Sequence, residues 1–113
     1  MAENKNILYL FGFSERMVKH LEKLIPLLKS QIKKGSIIKL VFIHDGVINS
    51  TSKGKIPESI KELMNLNVVL YTMIPDAKAR GISIEHIQNK IKPINYEELV
   101  DLIDTTPKII SWM

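Results

Sequence analysis

The stretch Lys39-Leu40-Val41-Phe42-Ile43-His44-Asp45-Gly46-Val47 decides the fold of this chain. Residues 37–43 are apolar apart from Lys39, and they do not alternate with polar residues. A short β-branched run of this kind is typical of a strand that is buried on both faces of a sheet. In an open α/β sheet, the loop at the carboxyl end of such a strand faces the functional crevice. The sequence therefore predicts an α/β fold, with Asp45-Gly46 as the first candidate site.

This segment allows two interpretations. Asp bonds readily to its own backbone and Gly accepts a positive φ, so Asp45-Gly46 on its own predicts only a tight turn. Its place after a buried strand also makes it a candidate functional site. A hydrolytic dyad of His44 and Asp45 is disfavoured, because adjacent side chains on a strand point to opposite faces.

The composition indicates one ordinary globular domain that covers residues 1–113. The net charge of +4 is mild and spread along the chain, so it does not imply a nucleic-acid partner. Because the sequence has no cysteine, disulfides, thiolate metal sites and cysteine nucleophiles are excluded. No apolar run reaches about 18 residues, and residues 1–6 have no signal-peptide pattern. We therefore expect a cytoplasmic protein without a transmembrane helix.

The first half of the chain predicts a strand, a long helix and a second strand. Residues 7–13 read as the first strand, Ser14 as the cap of the helix, and Gly35 as its end. Pro26 lies inside this helix and predicts a kink, because proline removes a main-chain donor and clashes with the preceding turn. The apolar face of the helix is Met17, Leu21, Leu24, Ile25, Leu28 and Ile32. Residues 49–55 are polar and predict an exposed, mobile loop.

The second half continues the alternation of helices and strands. The predicted strands are 68–73, 90–94 and an edge strand at 109–113. Helical segments are predicted from Pro57, over 83–88 with Ser83 as its cap, and after Asn95, where Asn95-Tyr96-Glu97-Glu98 fits a capping box. Residues 75–81 predict a compact turn or a single helical turn. Strands that alternate with helices predict a parallel sheet covered on both faces.

Three of the predicted loops follow the carboxyl ends of strands, and in a parallel sheet such loops share one rim. The candidate site for a small ligand or an anion on this rim consists of Asp45, Gly46, Asp76 and Arg80. The same loops also carry Ser14, Glu15, Arg16 and His44. The four-residue spacing of Asp76 and Arg80 equally fits a plain helical ion pair.

Cofactor sites have no support in the sequence. His20, His44 and His86 lie far apart without ligand-type spacing, so no metal is predicted. Gly12 is not part of a dinucleotide-binding glycine pattern. We therefore expect no cofactor.

The apolar C-terminus needs a contact surface, because chain ends fray unless something holds them. Ile110, Trp112 and Met113 are therefore candidate interface residues. Trp112 is either part of the core or an interface anchor, since tryptophan is favoured at interface hot spots.

Four motifs, taken together, resemble one known family. They are Asp45-Gly46-Val47, then Asp76-Ala77-Lys78-Ala79-Arg80-Gly81, then Tyr96-Glu97-Glu98-Leu99-Val100-Asp101-Leu102, and finally Ser111-Trp112. In this order and spacing they resemble the DsrH/TusB family of sulfur-relay proteins, part of the DsrE/DsrF/DsrH-like superfamily. The resemblance runs from residue 39 to the last residue.

The resemblance implies a three-layer α/β/α sandwich with a mainly parallel five-stranded sheet. It also implies a hetero-oligomer with paralogous DsrE- and DsrF-like (TusD- and TusC-like) subunits. Such complexes pass persulfide sulfur between cysteines, toward 2-thiouridine at the tRNA wobble position or into sulfur metabolism.

Without a cysteine, this chain is expected to be a non-catalytic subunit that serves tRNA only indirectly. Two alternatives remain open. One is a stand-alone homo-oligomeric domain that binds a small ligand or an anion at the rim. The other is an enzyme that uses His44 or Asp45.

Overall fold

Five parallel strands form the centre of the protein, for which a computed structural model describes residues 5–17 and 19–113. The strands are β1 (Asn6–Phe11), β2 (Ile37–Phe42), β3 (Val68–Met73), β4 (Ile91–Ile94) and β5 (Lys108–Trp112). Their order across the sheet is β4-β3-β2-β1-β5, and every neighbouring pair is parallel. This confirms the predicted α/β fold, and β5 is an edge strand as predicted.

Four α-helices connect the strands: α1 (Leu21–Lys33), α2 (Glu58–Met64), α3 (Ile74–Ala79) and α4 (Tyr96–Thr105). Two 3-10 helices, at His44–Ser50 and Ile84–His86, complete the connections. The longest helix has 13 residues, and within the described residues no helix is long and apolar enough to cross a membrane.

The strand order places the helices in two layers. The chain steps from β1 to β4 in one direction and then returns across the sheet to β5, so right-handed connections put α1 and α2 on one face and α4 on the other. Side chains agree with this. The Tyr9 hydroxyl donates to Gln31 Oε1 of α1, whereas burial and then the charge of Glu98 of α4 raise the pKa of Tyr71. The result is the predicted three-layer sandwich.

The main core lies between the sheet and the layer of α1 and α2. Four residues of α1 are buried there: Leu21, Leu24, Ile25 and Leu28. Tyr9 belongs to the same core, and burial raises the pKa of its hydroxyl, while the hydrogen bond to Gln31 acts in the opposite direction. The helix continues through Pro26 and ends near Gly35, whose φ of 90° fits the expected C-terminal cap.

The start of α1 differs from the prediction. The helix begins at Leu21 rather than after Ser14, and Met17, which the pattern assigned to the apolar face, is 83% exposed. Glu15 caps the helix in place of Ser14, although it lies five and six residues before the groups that it binds. Its carboxylate accepts from the main-chain N–H groups of His20 and Leu21. The buried carboxylate therefore fixes the first turn of the helix.

The prediction of an exposed loop over residues 49–55 was wrong at its beginning. Asn49 and Ser50 are buried in the 3-10 helix at His44–Ser50, whereas residues 52–55 are exposed. Ser50 donates from Oγ to the Val47 carbonyl and lies 3.2 Å from Thr72 Oγ1. Burial of these polar side chains is tolerated because they are hydrogen-bonded.

The later helical segments follow the prediction more closely. Asn95 caps α4 through its side chain, which accepts from the Glu98 N–H, and the Glu98 carboxylate accepts in return from the Asn95 N–H. This is the predicted capping box. The segment after Ser83 is only a 3-10 turn over Ile84–His86, and the Ser83 side chain makes no cap.

Candidate functional site

The three predicted rim loops do meet at the carboxyl ends of the strands. The loop after β1 is joined to the 3-10 helix after β2 by Asn49, which accepts from the Glu15 N–H and donates to the Phe13 carbonyl. The 3-10 helix is in turn joined to α3, which follows β3, by side chains at Asp45 and Asp76. Side-chain hydrogen bonds therefore hold the three loops of the rim together.

Asp45 and Arg80 lie together, as the topology predicted. Arg80 Nε donates to Asp45 Oδ1 at 3.0 Å, and Arg80 Nη1 donates to the main-chain carbonyl of Asp76 at 3.1 Å. The ion pair is partly exposed, so it is worth only a few tenths of a kcal/mol up to about 1 kcal/mol. The alternative pairing of the Asp76 and Arg80 side chains is not formed, because the Asp76 carboxylate binds elsewhere.

That carboxylate fixes an unusual backbone. Asp76 Oδ2 accepts from the main-chain N–H of His44 at 2.7 Å. His44 has a φ of 49°, in the left-handed region, and it is the one residue other than glycine with a positive φ in the described parts of the chain. Such a conformation persists where the surroundings hold it, and Asp76 supplies that contact.

Gly46 is required for a different reason from the one that the turn pattern suggested. Its φ is not positive. A Cβ at this position would overlap the carbonyl oxygen of Phe11, because the 3-10 helix packs directly on the end of β1. Glycine thus permits a close approach of two backbones, and the positive φ falls on His44 instead.

Two residues that were not recognised as structural hold the rim. Asn49 appears in the sequence as part of a polar run, and nothing nearby indicates that it is buried. In the sequence Glu15 is only one of several polar residues in the rim loops, yet it is 3% exposed and also accepts from Ser59 Oγ of α2. Both bond across more than thirty residues of sequence, which a local pattern does not record.

The chemistry available on the rim is limited. Among the described residues, no hydrogen bond joins the side chains of His44 and Asp45, and no group of three or more His, Asp or Glu residues is placed to hold a metal ion. Asp45 and Arg80 engage each other on the rim, and the Asp45 side chain is the more exposed of the two, at 68% against 30%.

The candidate interface residues at the C-terminus divide into two groups. Ile110 and Trp112 pack partly buried against the core, and Trp112 stacks on Phe11 with ring centroids 6.4 Å apart. Met113 remains exposed, beside Gly12. Trp112 therefore contributes to the core.

Known proteins resemble this chain in sequence as well as in fold. A family model described as "DsrH like protein" matches residues 16–109. Two proteins named Protein TusB, from Pectobacterium parmentieri and Pectobacterium atrosepticum, are each 38% identical over 73 residues, which is 65% of this chain and 73% of theirs.

Two solved structures share the fold at low sequence identity. The ychN protein from E. coli superposes with a TM-score of 0.71 at 17% identity, over 96% of this chain and 99% of that one. The protein of unknown function MTH1491 from Methanobacterium thermoautotrophicum reaches a TM-score of 0.75 at 12% identity, over 95% and 98%. The sequence matches decide the family: this chain belongs to the DsrH/TusB family of sulfur-relay proteins.

Proposed function

We propose that this chain is a non-catalytic subunit of a sulfur-relay complex that serves 2-thiouridine synthesis at the tRNA wobble position. The likeness to Protein TusB supports the tRNA branch over the alternative branch, sulfur metabolism. The single observation that supports a non-catalytic role is that the sequence contains no cysteine.

The chemistry of sulfur transfer gives that observation its weight. A persulfide passes on when a thiolate attacks its outer sulfur, so each carrier in the relay needs an ionisable thiol. The sulfur atoms of this chain all belong to its five methionines. A thioether has no proton to lose, so it can neither attack a persulfide as a thiolate nor hold the sulfur.

The proposal assigns the carrier cysteines to paralogous DsrE- and DsrF-like subunits, in the cytoplasm, with tRNA served only through them. The competing proposal, an anion site on the rim, is weakened by the engagement of Arg80 with Asp45 and with the Asp76 carbonyl. Enzymatic use of His44 or Asp45 lacks a partner group, since their side chains bond neither to each other nor to a third catalytic residue within the described ranges.

Two experiments test this proposal. The chain is co-expressed with the DsrE- and DsrF-like subunits of the same genome, and each purified subunit is analysed by mass spectrometry after treatment with a persulfide donor. We expect a stable complex in which sulfur is found on the cysteine-bearing subunits and never on this chain. In cells, deletion of the gene should lower 2-thiouridine in tRNA, and the wild-type gene should restore it.

A matched variant separates the rim from the relay. Asp45→Asn removes the charge that engages Arg80, and we expect it to restore 2-thiouridine as well as wild type does. Normal 2-thiouridine after gene deletion, together with no binding to either subunit, would overturn the proposed function. Loss of 2-thiouridine with Asp45→Asn, in a chain that still folds, would support the rim as a functional site instead.

A further inference from the structure

The α4 side of the protein leaves large apolar side chains in solvent. Tyr96 and Val100 of α4 are 59% and 52% exposed, and Ile109 of β5 is 41% exposed. Ile109 pairs in register with Leu8, so it points to the face opposite Tyr9 and α1. Single exposed apolar residues are ordinary, but a contiguous group marks an interaction surface.

The orientation of α4 can be fixed from its contacts. The helix rests on the sheet through Leu99, Leu102 and Ile103. The flank that carries Glu98 faces β3 and β4. Glu98 Oε2 lies 4.0 Å from Lys92 Nζ of β4, and after burial the charge of Glu98 is the second cause that raises the pKa of Tyr71 of β3.

Tyr96 and Val100 occupy the other flank. At about 100° per residue they lie across the helix from Glu98, on the side of β1 and β5. Ile109 lies in the edge strand β5 on that same sheet face, so all three residues are exposed on the β5 side of α4. We call Tyr96, Val100 and Ile109 the apolar strip.

A row of carboxylates runs beside this strip. Glu97, Asp101 and Asp104 are exposed and follow one another along the outer surface of α4. They make no ion pair with any residue in the described ranges, and α4 contains no basic residue. Asp101 and Asp104 also lie toward the carboxyl end of the helix, where negative charge opposes the helix dipole. The charges of Asp101 and Asp104 therefore do not stabilise the free helix, whereas Glu97 lies in the first turn, where negative charge favours the dipole.

The two edge strands of the sheet, β4 and β5, differ in how well they are protected against the addition of another strand. β4 has four residues and includes Lys92 and Pro93, and both features discourage the addition of another strand. β5 has five residues without proline, and its one charged residue is Lys108 at the start. The edge beside the apolar strip is thus the unprotected one.

We propose that this surface, the apolar strip together with the Glu97, Asp101 and Asp104 carboxylates, is where a protein subunit with a basic and apolar surface docks. This rests on the proposed function, and the occupant is one of the cysteine-bearing subunits of the relay. Charge complementarity identifies the partner: basic residues on its surface would lie opposite carboxylates that no basic residue of α4 pairs with. Apolar contact with the strip provides the buried area, and the charges provide orientation.

The charge also argues against a second copy of this chain. A two-fold pairing of β5 edges would place the two α4 helices on the same face of the joined sheet, so both rows of carboxylates would lie on one surface of the dimer. Like charges gathered on one surface disfavour such a dimer. A partner with Lys or Arg residues at its edge meets no such repulsion.

The test uses the full chain and the co-purified cysteine-bearing subunits. One variant reverses the charge of the row of carboxylates (Glu97→Lys, Asp101→Lys and Asp104→Lys), and another makes the apolar strip polar (Val100→Ser with Ile109→Ser). The controls change exposed residues on the opposite layer: Glu22→Lys, Glu58→Lys and Glu62→Lys for charge, which also removes the ion pairs of these glutamates, and Leu27→Ser for the strip. Circular dichroism melts confirm that each variant folds, and binding is measured by titration calorimetry at low and high salt.

We expect both surface variants to weaken binding about tenfold or more, and the controls to leave it unchanged. Wild-type binding should weaken as the salt concentration is raised, and the charge-reversal variant should lose most of this salt dependence. If wild type binds and both surface variants bind equally well, the docking site is overturned while the proposed function stands. If wild type binds neither subunit, the proposed function falls and the docking site with it. A homodimer that the same variants dissociate would replace the heterologous partner by a second copy.

Discussion

The two helical layers of this protein cover the sheet to very different degrees. On one face, α1 buries Leu21, Leu24, Ile25 and Leu28. On the other, α4 is also amphipathic and well capped, yet none of its residues is buried. Its inward residues Leu99, Leu102 and Ile103 are only partly covered. The fold is thus stabilised mainly from one side, and the other side is left with surface that a partner can cover.

On the proposed function, this difference shows how a relay subunit without a thiol can be built. The α1 layer and the rim hold the chain in one conformation through buried apolar contacts and the bonds of Glu15 and Asn49. The α4 layer carries exposed apolar and acidic groups in excess of what the free chain uses. Stability and association are therefore assigned to opposite faces, and substitutions on the two faces should have different consequences.

The largest expected contrast compares one leucine with one valine. Leu24→Ala removes a fully buried side chain of α1, and we expect it to lower the free energy of unfolding by about 2–5 kcal/mol. Val100→Ala, on α4, should change it by less than about 0.5 kcal/mol, because the side chain is half exposed. Guanidinium unfolding of both variants measures this. Equal losses would mean that α4 is as important to the isolated fold as α1.

The next effect concerns the junction of the rim with β1. Gly46→Ala places a Cβ against the Phe11 carbonyl oxygen, which is fixed backbone, so we expect a loss of about 1–3 kcal/mol. Gly12→Ala is the control, because its Cβ would meet Met113 Cγ at 3.1 Å, near the end of a flexible side chain. The melting temperature should fall further for the first variant than for the second, and the reverse order would refute the close-approach explanation.

A smaller effect is expected at the first turn of α1. Glu15→Ala leaves the N–H groups of His20 and Leu21 without their carboxylate and should lower stability by about 0.5–2 kcal/mol. Glu22→Ala, which changes an exposed carboxylate within the first turn itself, should have less effect. Chemical unfolding at neutral pH distinguishes them. No loss with Glu15→Ala would show that the helix start is held by other contacts.

How much of this could be read from the sequence depends on the distance between partners. The strand at 37–42 and the Asn95 capping box follow from neighbouring residues, and the approach of Asp45 to Arg80 follows from the parallel topology. The caps formed by Glu15 could not be predicted, because the stretch after Ser14 matches an ordinary helix start. Its carboxylate reaches main-chain groups five and six residues further on.

Similar reasoning explains the other differences. The Asp76 carboxylate was available to Arg80 at helical spacing, but the left-handed His44 places its N–H within reach and the carboxylate accepts there instead. Asn49 was assigned to a loop since polar residues surround it, although its amide satisfies two main-chain groups of the loop after β1. In each case a tertiary partner decided the outcome.

The smallest expected effect is a pH dependence of the α1 layer. Burial raises the pKa of Tyr9 above its ordinary value of 10.0. The unfolded chain therefore loses this proton first, and the stability that the neutral hydroxyl provides is present below about pH 10 and lost as the pH rises through the folded pKa. Tyr9→Phe should make unfolding less sensitive to pH between about pH 9 and about pH 11. Tyr96→Phe, which changes an exposed ring, should behave as wild type, and an equal reduction in both would contradict the assignment.

Hydrogen exchange of this chain, free and bound to the cysteine-bearing subunits of the relay, tests most directly whether a partner binds to the α4 face. We expect slower exchange in the complex for main-chain amides of α4 and β5, over residues 96–112, and unchanged exchange for α1, over residues 21–33. Slower exchange confined to α1, or none anywhere in a complex that demonstrably forms, would contradict the assignment of association to the α4 face.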